Sequence, residues 1–268
     1  MEKGKISVIM GIYNSRSKEV LKKAIESILN QTYSNFEFII CNDGSTNECE
    51  KWAKEICKND ERVRFIQNES NRGLAYTLNH CLEEANGEFI ARMDDDDFSH
   101  LDRFEKQVKF LENNPEIGLT GSTMNLFNEN GIWGKRTYNE YVEKEDFLYR
   151  VAVPHPTILA RREAFDKVDG YRDISKTLRV EDYDCFIRMY AKGVKMYNFQ
   201  EPLFDYREDK LGAKKKKYKY RFNEMWVRYN GFKELGILNT KNIIYVIKPL
   251  IAGLIPQKII KNRQVINK

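Results

Sequence analysis

Glycine and proline are scarce in this 268-residue chain, at 15 and 6 residues. That excludes collagen-like and low-complexity classes and leaves little material for long flexible linkers. Cysteine is sparse too: the five, at positions 41, 49, 57, 81 and 185, are an odd number without a CxxC pair. Neither a disulfide framework nor a zinc knuckle is suggested, and a reducing cytosol is the expected setting. No uninterrupted run of about 18 apolar residues occurs; the nearest, Ile243 to Ile260, is broken by Lys248, Pro249, Pro256 and Lys258. The opening stretch Ile6 to Met10 is too short for a signal-peptide core. Also missing are G-x-G-x-x-G and G-x-x-x-x-G-K-[ST] after a strand, which argues against a dehydrogenase or a P-loop kinase.

What is present is a chain with 41% apolar, 12% aromatic and 32% charged residues, ample for one main buried core. Its formal net charge of +5 hides an asymmetry. Arg207 to Lys268 holds 16 Lys and Arg against 4 Asp and Glu, while the remainder holds 29 against 36. A mildly acidic body, residues 1–207, is therefore expected to carry a basic, aromatic-rich helical extension, residues 208–268, facing an anionic surface.

Up to about residue 120, apolar runs of strand length alternate with helical patterns, the signature of βαβ units around a largely parallel sheet. Ile6 to Met10, Phe36 to Cys41, Val63 to Ile66 and Glu88 to Met93 read as strands. Between them, Leu21, Ala24, Ile25, Ile28 and Leu29 recur at helical spacing, as do Leu74, Leu78, Cys81, Leu82 and Ala85 ahead of Asn86-Gly87. Arg103 to Asn113 reads as a helix ended by Pro115. Further on the pattern loosens to a turn at Asn128 to Gly131, a strand at Thr157 to Ala160 and a helix through Tyr183 to Ala191. In the extension, Lys214 to Lys217, then Tyr218, Tyr220, Phe222, Trp226 and Tyr229, suggest an amphipathic helix.

The densest chemical signal is Asp94-Asp95-Asp96-Asp97 at the carboxyl end of the fourth strand, where open α/β sheets place ligands. Adjacent carboxylates repel unless solvent or a cation compensates them, so the run reads either as a solvated acidic turn or as a site for a hard divalent cation holding a diphosphate. Asp43, in Asn42-Asp43-Gly44-Ser45-Thr46, reads as ordinary turn chemistry or as an acceptor for a base or sugar. Glu181 and Asp182 open a helix, where the dipole alone favours acids; the sharper reading makes Asp182 a general base. His155, between two prolines, reads as an acceptor-side contact, a structural histidine or a metal ligand. Arg161-Arg162 reads as a solvated pair or a phosphate contact.

These motifs in order resemble the family 2 glycosyltransferases of GT-A fold: Ser7-Val8-Ile9-Met10 through Tyr13-Asn14, Gln31-Thr32-Tyr33, Asn42-Asp43-Gly44-Ser45, Asn71-Arg72-Gly73-Leu74, Ala85-Asn86-Gly87-Glu88, Arg92-Met93-Asp94-Asp95-Asp96-Asp97 and Glu181-Asp182. The likeness spans about Ile6 to Arg207. It implies a single, mostly parallel sheet flanked by helices, with a nucleotide-binding first half and a helical C-terminal tail. It further implies Tyr13 against the nucleotide base with Asp43 hydrogen-bonded to that base, Arg72 near the diphosphate, Asp94 near the ribose, Asp95 at the variable middle position, and Asp96 with Asp94 on Mn²⁺ or Mg²⁺. Asp182, preceded by Glu181, takes the place of the base. Gly11 stands where many members carry Thr or Ser.

The expected function is inverting transfer from a nucleotide-sugar, by resemblance a UDP-sugar, to a glycan or lipid-linked acceptor of a capsule or O-antigen. The setting would be the cytoplasm, at the inner face of the membrane. A sugar-phosphate nucleotidyltransferase is the rival enzyme, though its G-x-G-x-R entry loop is missing. A nucleic-acid-binding protein using the basic tail is the rival from another class, and it leaves the aspartate run unexplained. The tail is expected either at an anionic leaflet or packed on the domain or on a second subunit.

Overall fold

The computed structural model describes residues 1–209 and 217–254. Its first half alternates strands and helices: β1 (Glu2–Ile12), α1 (Lys18–Leu29), β2 (Phe36–Asn42), α2 (Cys49–Cys57), β3 (Val63–Gln67), α3 (Leu74–Glu84) and β4 (Gly87–Met93). There follow β5 (Phe98–Ser99), α4 (Arg103–Asn113), β6 (Ile117–Asn128), β7 (Gly131–Arg136), β8 (Leu159–Arg161), α5 (Arg162–Asp166), α6 (Glu181–Ala191), β9 (Lys195–Arg207), α7 (Lys219–Glu234) and α8 (Ile243–Leu254). One sheet runs in the order β3-β2-β1-β4-β8-β6-β9-β5, with β7 paired to β6. β1 to β4, β6 and β9 share one direction, whereas β5, β7 and β8 run against it.

Alternation along β1 splits the interior into two layers, because successive side chains leave opposite faces of a strand. Val8 and Met10 join Leu21, Ala24 and Ile25 of α1 and Phe104 of α4. Ile9 joins Leu78 and Cys81 of α3 and Phe186 of α6. Gly11 sits where α3 comes closest: a Cβ there would lie 2.9 Å from Thr77 Cγ2, so a Thr or Ser could not be accommodated without displacing that helix.

Several expectations are revised. Thr157 closes a short 3-10 turn, His155–Thr157, and the strand starts only at Leu159. The long strands β6 and β9 and the helix α2 have no counterpart in the sequence pattern. Arg161 and Arg162 are neither solvated nor phosphate-facing. Arg161 donates to the Leu111 and Ile117 carbonyls, and Arg162 to those of Leu82 and Ala85 at the end of α3. α7 is not an amphipathic aromatic helix: Val227, Arg228, Gly231 and Phe232 are buried, while Tyr218, Phe222 and Tyr229 stay exposed. Arg228 reaches back to the Leu148 carbonyl at 2.7 Å, and Val227 and Phe232 share a core with α3 and α6. Lys214 to Lys216 lie outside the described residues.

Arg103, fully buried at the start of α4, ties the site-bearing strand to its neighbours. It donates to the carbonyls of Arg92 in β4 (3.2 Å) and Ile158 (2.8 Å) and to Gln107 Oε1 (3.0 Å). Gln31 works alongside, donating to the His100 carbonyl and accepting from Phe104 N. Replacing Arg103 by Leu strands these buried acceptors, so a loss of about 3–5 kcal/mol in unfolding free energy is expected. Denaturant titration checks it; a cost below about 1 kcal/mol would show that the tie is dispensable.

Candidate functional site

Three parallel strands end on one rim of the sheet, and each delivers a loop to the same place. Tyr13 follows β1 and is 48% exposed, so its ring is free to meet a ligand. Asn14, left-handed at φ 50°, accepts from Thr46 N (2.9 Å) and Asn47 N (3.1 Å) and thereby ties the β1 exit to the β2 exit. Asp43 follows β2 and is buried. Its carboxylate accepts from Arg72 N (2.8 Å), Gly73 N (2.9 Å) and Asn68 Nδ2 (2.8 Å), holding the loop that opens α3. Gly44 turns there at φ 68°, and a Cβ would strike the Ser70–Asn71 backbone at 2.7 Å. The Arg72 guanidinium lies 4.1 Å above the Tyr76 ring.

β4 delivers the four aspartates, and their carboxylates go separate ways. Asp94 is paired with Arg92, two residues earlier on the same strand face. Asp95 accepts from Ser15 Oγ. Asp97, wholly buried, accepts from Arg207 N at 2.7 Å through Oδ1, and among the described residues its Oδ2 has no hydrogen-bond partner. Asp96 differs: among the described residues its carboxylate accepts no hydrogen bond, while its carbonyl receives Arg207 Nε at 3.1 Å. Burial, with repulsion from neighbouring aspartates, pushes Asp95 and Asp96 up to about 6 and Asp97 well above the carboxylate range.

The donors here are hard oxygens, and the negative charge outweighs that of Arg92 and Arg207. Both facts fit a divalent cation such as Mg²⁺ or Mn²⁺. Among the described residues no group of three or more His, Cys, Asp or Glu converges as a ready-made cage. That agrees with a metal held by one or two carboxylates and completed by water and phosphate oxygens.

Asp182 stands in the first turn of α6, its Oδ1 accepting from Tyr183 N at 2.8 Å. Buried Glu181 accepts from Arg179 N at 2.7 Å, closing a turn in which Arg179 is left-handed at φ 71°. Burial raises the Glu181 carboxyl. Arg92 links the two regions, since the charges of Asp94, Asp97 and Asp182 all act on its guanidinium. A shallow cleft, lined by Arg72, Leu74, Asp173, Ile174, Leu178 and Glu181, lies between the α3 entry and the approach to α6. His155 is buried, with its Nε2 2.7 Å from the Tyr171 hydroxyl and its ring edge-on to Tyr171 and Phe186. Burial holds its basicity well below the usual imidazole range.

Arg92, Ser15, Asp97 and Arg207 were not singled out as site residues by their pattern. Asp97 belongs to the aspartate run, and Arg92 carries a signal as a cation inside an apolar strand, in step with Asp94; Ser15 and Arg207 carry none.

Comparison with known proteins agrees with this geometry. The family model described as Glycosyl transferase family 2 matches residues 7–169. EpsE of Bacillus subtilis (strain 168), assigned as a glycosyltransferase, is 39% identical over 94% of this chain and 90% of its own. The Escherichia coli O-antigen biosynthesis glycosyltransferase WbnJ is 33% identical over 75% of this chain and 79% of its own. Among solved structures, S. aureus TarS 1-349 in complex with UDP-GlcNAc superposes with a TM-score of 0.68 at 16% identity, covering 95% of this chain and 82% of that one. The last likeness establishes a shared α/β fold of GT-A type.

The raised carboxylates carry a linkage with a definite sign. Asp95 and Asp96 bind protons near pH 6 when folded and near the model-peptide value of about 4 when unfolded. Between those limits the folded state holds more protons, so their penalty, complete at neutral pH, is relieved as pH falls toward 4. The metal-free chain is expected to gain melting temperature between pH 7 and pH 5 relative to the Asp95→Asn/Asp96→Asn variant. Parallel melting curves for the two proteins would contradict the crowding of charge at this rim.

Proposed function

The chain belongs to glycosyltransferase family 2 and is a glycosyltransferase, and from that premise we propose which reaction its site performs. A sugar passes from a UDP-sugar to a hydroxyl of a glycan or lipid-linked saccharide in surface-polysaccharide assembly, beside the inner face of the membrane, with inversion at the anomeric carbon. The observation that carries this reading is the division of the aspartate run. Asp94, Asp95 and Asp97 are each engaged by the protein, whereas the Asp96 carboxylate accepts no hydrogen bond among the described residues and is held near pH 6.

Asp96, with Asp94 beside it, would hold Mn²⁺ or Mg²⁺, and the cation would neutralise charge on the departing diphosphate. Exposed Tyr13 offers a face for the base, Asp43 fixes the Arg72 loop alongside, and Arg72 supplies a cation for the diphosphate. Asp182 receives the proton of the acceptor hydroxyl as that oxygen bonds to the anomeric carbon. The carbon–oxygen bond to the diphosphate breaks on the opposite side and leaves its electron pair on the phosphate oxygen. Glu181 braces the turn before the base; His155, buried with its Nε2 on the equally buried Tyr171 hydroxyl, is a structural histidine and not the acceptor contact its place between two prolines allows. TarS, titled as a UDP-GlcNAc complex, supports a uridine donor, and WbnJ, named for O-antigen biosynthesis, supports a surface-glycan product.

Two measurements test it. Asp182→Asn is expected to lower kcat by about 10²- to 10⁴-fold with calorimetric UDP affinity unchanged; transfer at the parental rate would remove Asp182 as base. UDP with Mn²⁺ is expected to raise the melting temperature of the parent and not of Asp96→Asn. An equal response in both proteins would take the cation away from Asp96.

A further inference from the structure

Once α7 has turned its apolar residues into the core, α8 is left with an outward row of its own. Ile243, Ile244, Ile247, Ile251 and Leu254 are between 39% and 72% exposed, and their spacing sets them on one side of the helix. Val246, Pro249 and Gly253 occupy the other side and are buried. The buried side of α8 rests on the start of α7. A Cβ at Gly253 would meet the Tyr218 ring at 2.8 Å, and Tyr218 packs edge-on against exposed Phe222.

The stretch of sequence that carries this row has charge of one sign. From Leu235 to Lys268 there is no Asp or Glu, against six Lys and Arg. Lys241 and Lys248 are exposed at α8, and Lys258, Lys261, Arg263 and Lys268 belong to the sequence beyond the described residues. A second copy docked through the same patch would bring these like charges together, which disfavours a two-fold pairing. An anionic bilayer surface complements both features at once: cations meet lipid phosphates while isoleucines enter the boundary between headgroups and chains. Among the described residues no helix is long and apolar enough to cross a membrane.

We propose that the Ile243–Leu254 helix is an interfacial anchor that lies in the plane of an anionic bilayer, with Ile247 and Ile251 inserted and Lys241 and Lys248 over the headgroups. The anchor extends the proposed use of a lipid-linked acceptor, on which its purpose rests, because it would keep the enzyme on the surface where such an acceptor lies.

The full chain is tested by flotation with vesicles of phosphatidylcholine alone and of phosphatidylcholine with phosphatidylglycerol. Binding is expected to the anionic vesicles, and to weaken as salt is raised. Ile247→Glu/Ile251→Glu is expected to lower the bound-to-free ratio at least about tenfold, since two inserted side chains are lost and two like charges added. Both positions face solvent, so melting temperature and UDP affinity should stay at parental values; this separates failure of the anchor from failure of the transferase reading. Equal binding to neutral vesicles, or undiminished flotation of the double variant, overturns the proposal. So does a parent that is dimeric without lipid and becomes monomeric in the double variant, which would assign the row to a second copy.

Discussion

The ion pair between Arg92 and Asp94 is the constraint around which the rest of the site is arranged. A buried guanidinium is costly to desolvate, and here it stands one residue short of a run of four acids. Without it the rim of β4 would concentrate negative charge in a poorly hydrated place and push every aspartate toward its neutral form. With it, one carboxylate is paired and oriented. The others are then sorted by neighbours: Ser15 from the β1 exit takes Asp95, and the end of β9 takes Asp97. A low-complexity run of identical residues is thus resolved by topology into four environments.

That sorting also explains what could and could not be read in the sequence. Strands β1, β2 and β4 were legible because both of their faces are covered and they read as largely apolar runs, and the half-buried edge strand β3 through Val63, Phe65 and Ile66. α1, α3 and α4 were legible because each buries a single stripe. β6 and β9 escaped because their interiors are polar. Thr120, Ser122, Thr123 and Asn198 are fully buried; Thr120 Oγ1 donates to the Leu159 carbonyl and Asn198 Nδ2 to the Ala152 carbonyl, while Ser122 Oγ and Thr123 Oγ1 have no hydrogen-bond partner among the described residues. α2 escaped because its buried stripe is only Cys49, Ala53 and Cys57 between charged residues. An apolar-period reading has no access to strands whose side chains are satisfied by hydrogen bonds rather than by burial of hydrocarbon.

The candidate site was legible in kind and less so in role. Aspartates at the end of β4, an Asp-Gly turn after β2 and acids opening α6 all announce themselves by position in a βαβ pattern. Their neighbours change what each can do. Asp43 is an anchor for the Arg72 loop as much as a ligand group, because three N–H donors already engage its two oxygens. His155 between two prolines reads in three ways, and burial against Tyr171 selects the structural one. Arg161 and Arg162, adjacent charges in the sequence, spend their donors on backbone carbonyls, Arg161 at the end of α4 and the start of β6 and Arg162 at the end of α3.

These anchors converge on α3. Its first turn carries the loop that Asp43 holds. One face packs on β1 so closely that only Gly11 fits. Its Asn79 clamps Tyr171 from both sides, donating to the carbonyl at 2.7 Å and accepting from the amide at 2.8 Å. The segment so fixed receives Arg188 of α6 at the Val168 and Gly170 carbonyls, and Asp184 holds both Arg188 and Arg172. The helix bearing Asp182 is therefore set against the same element that sets the Arg72 loop. A transfer that needs acceptor and leaving group on opposite sides of one carbon depends on the distance between two such elements. In the reaction proposed for this chain that spacing would be set by α3, packed between β1 and the 168–172 segment.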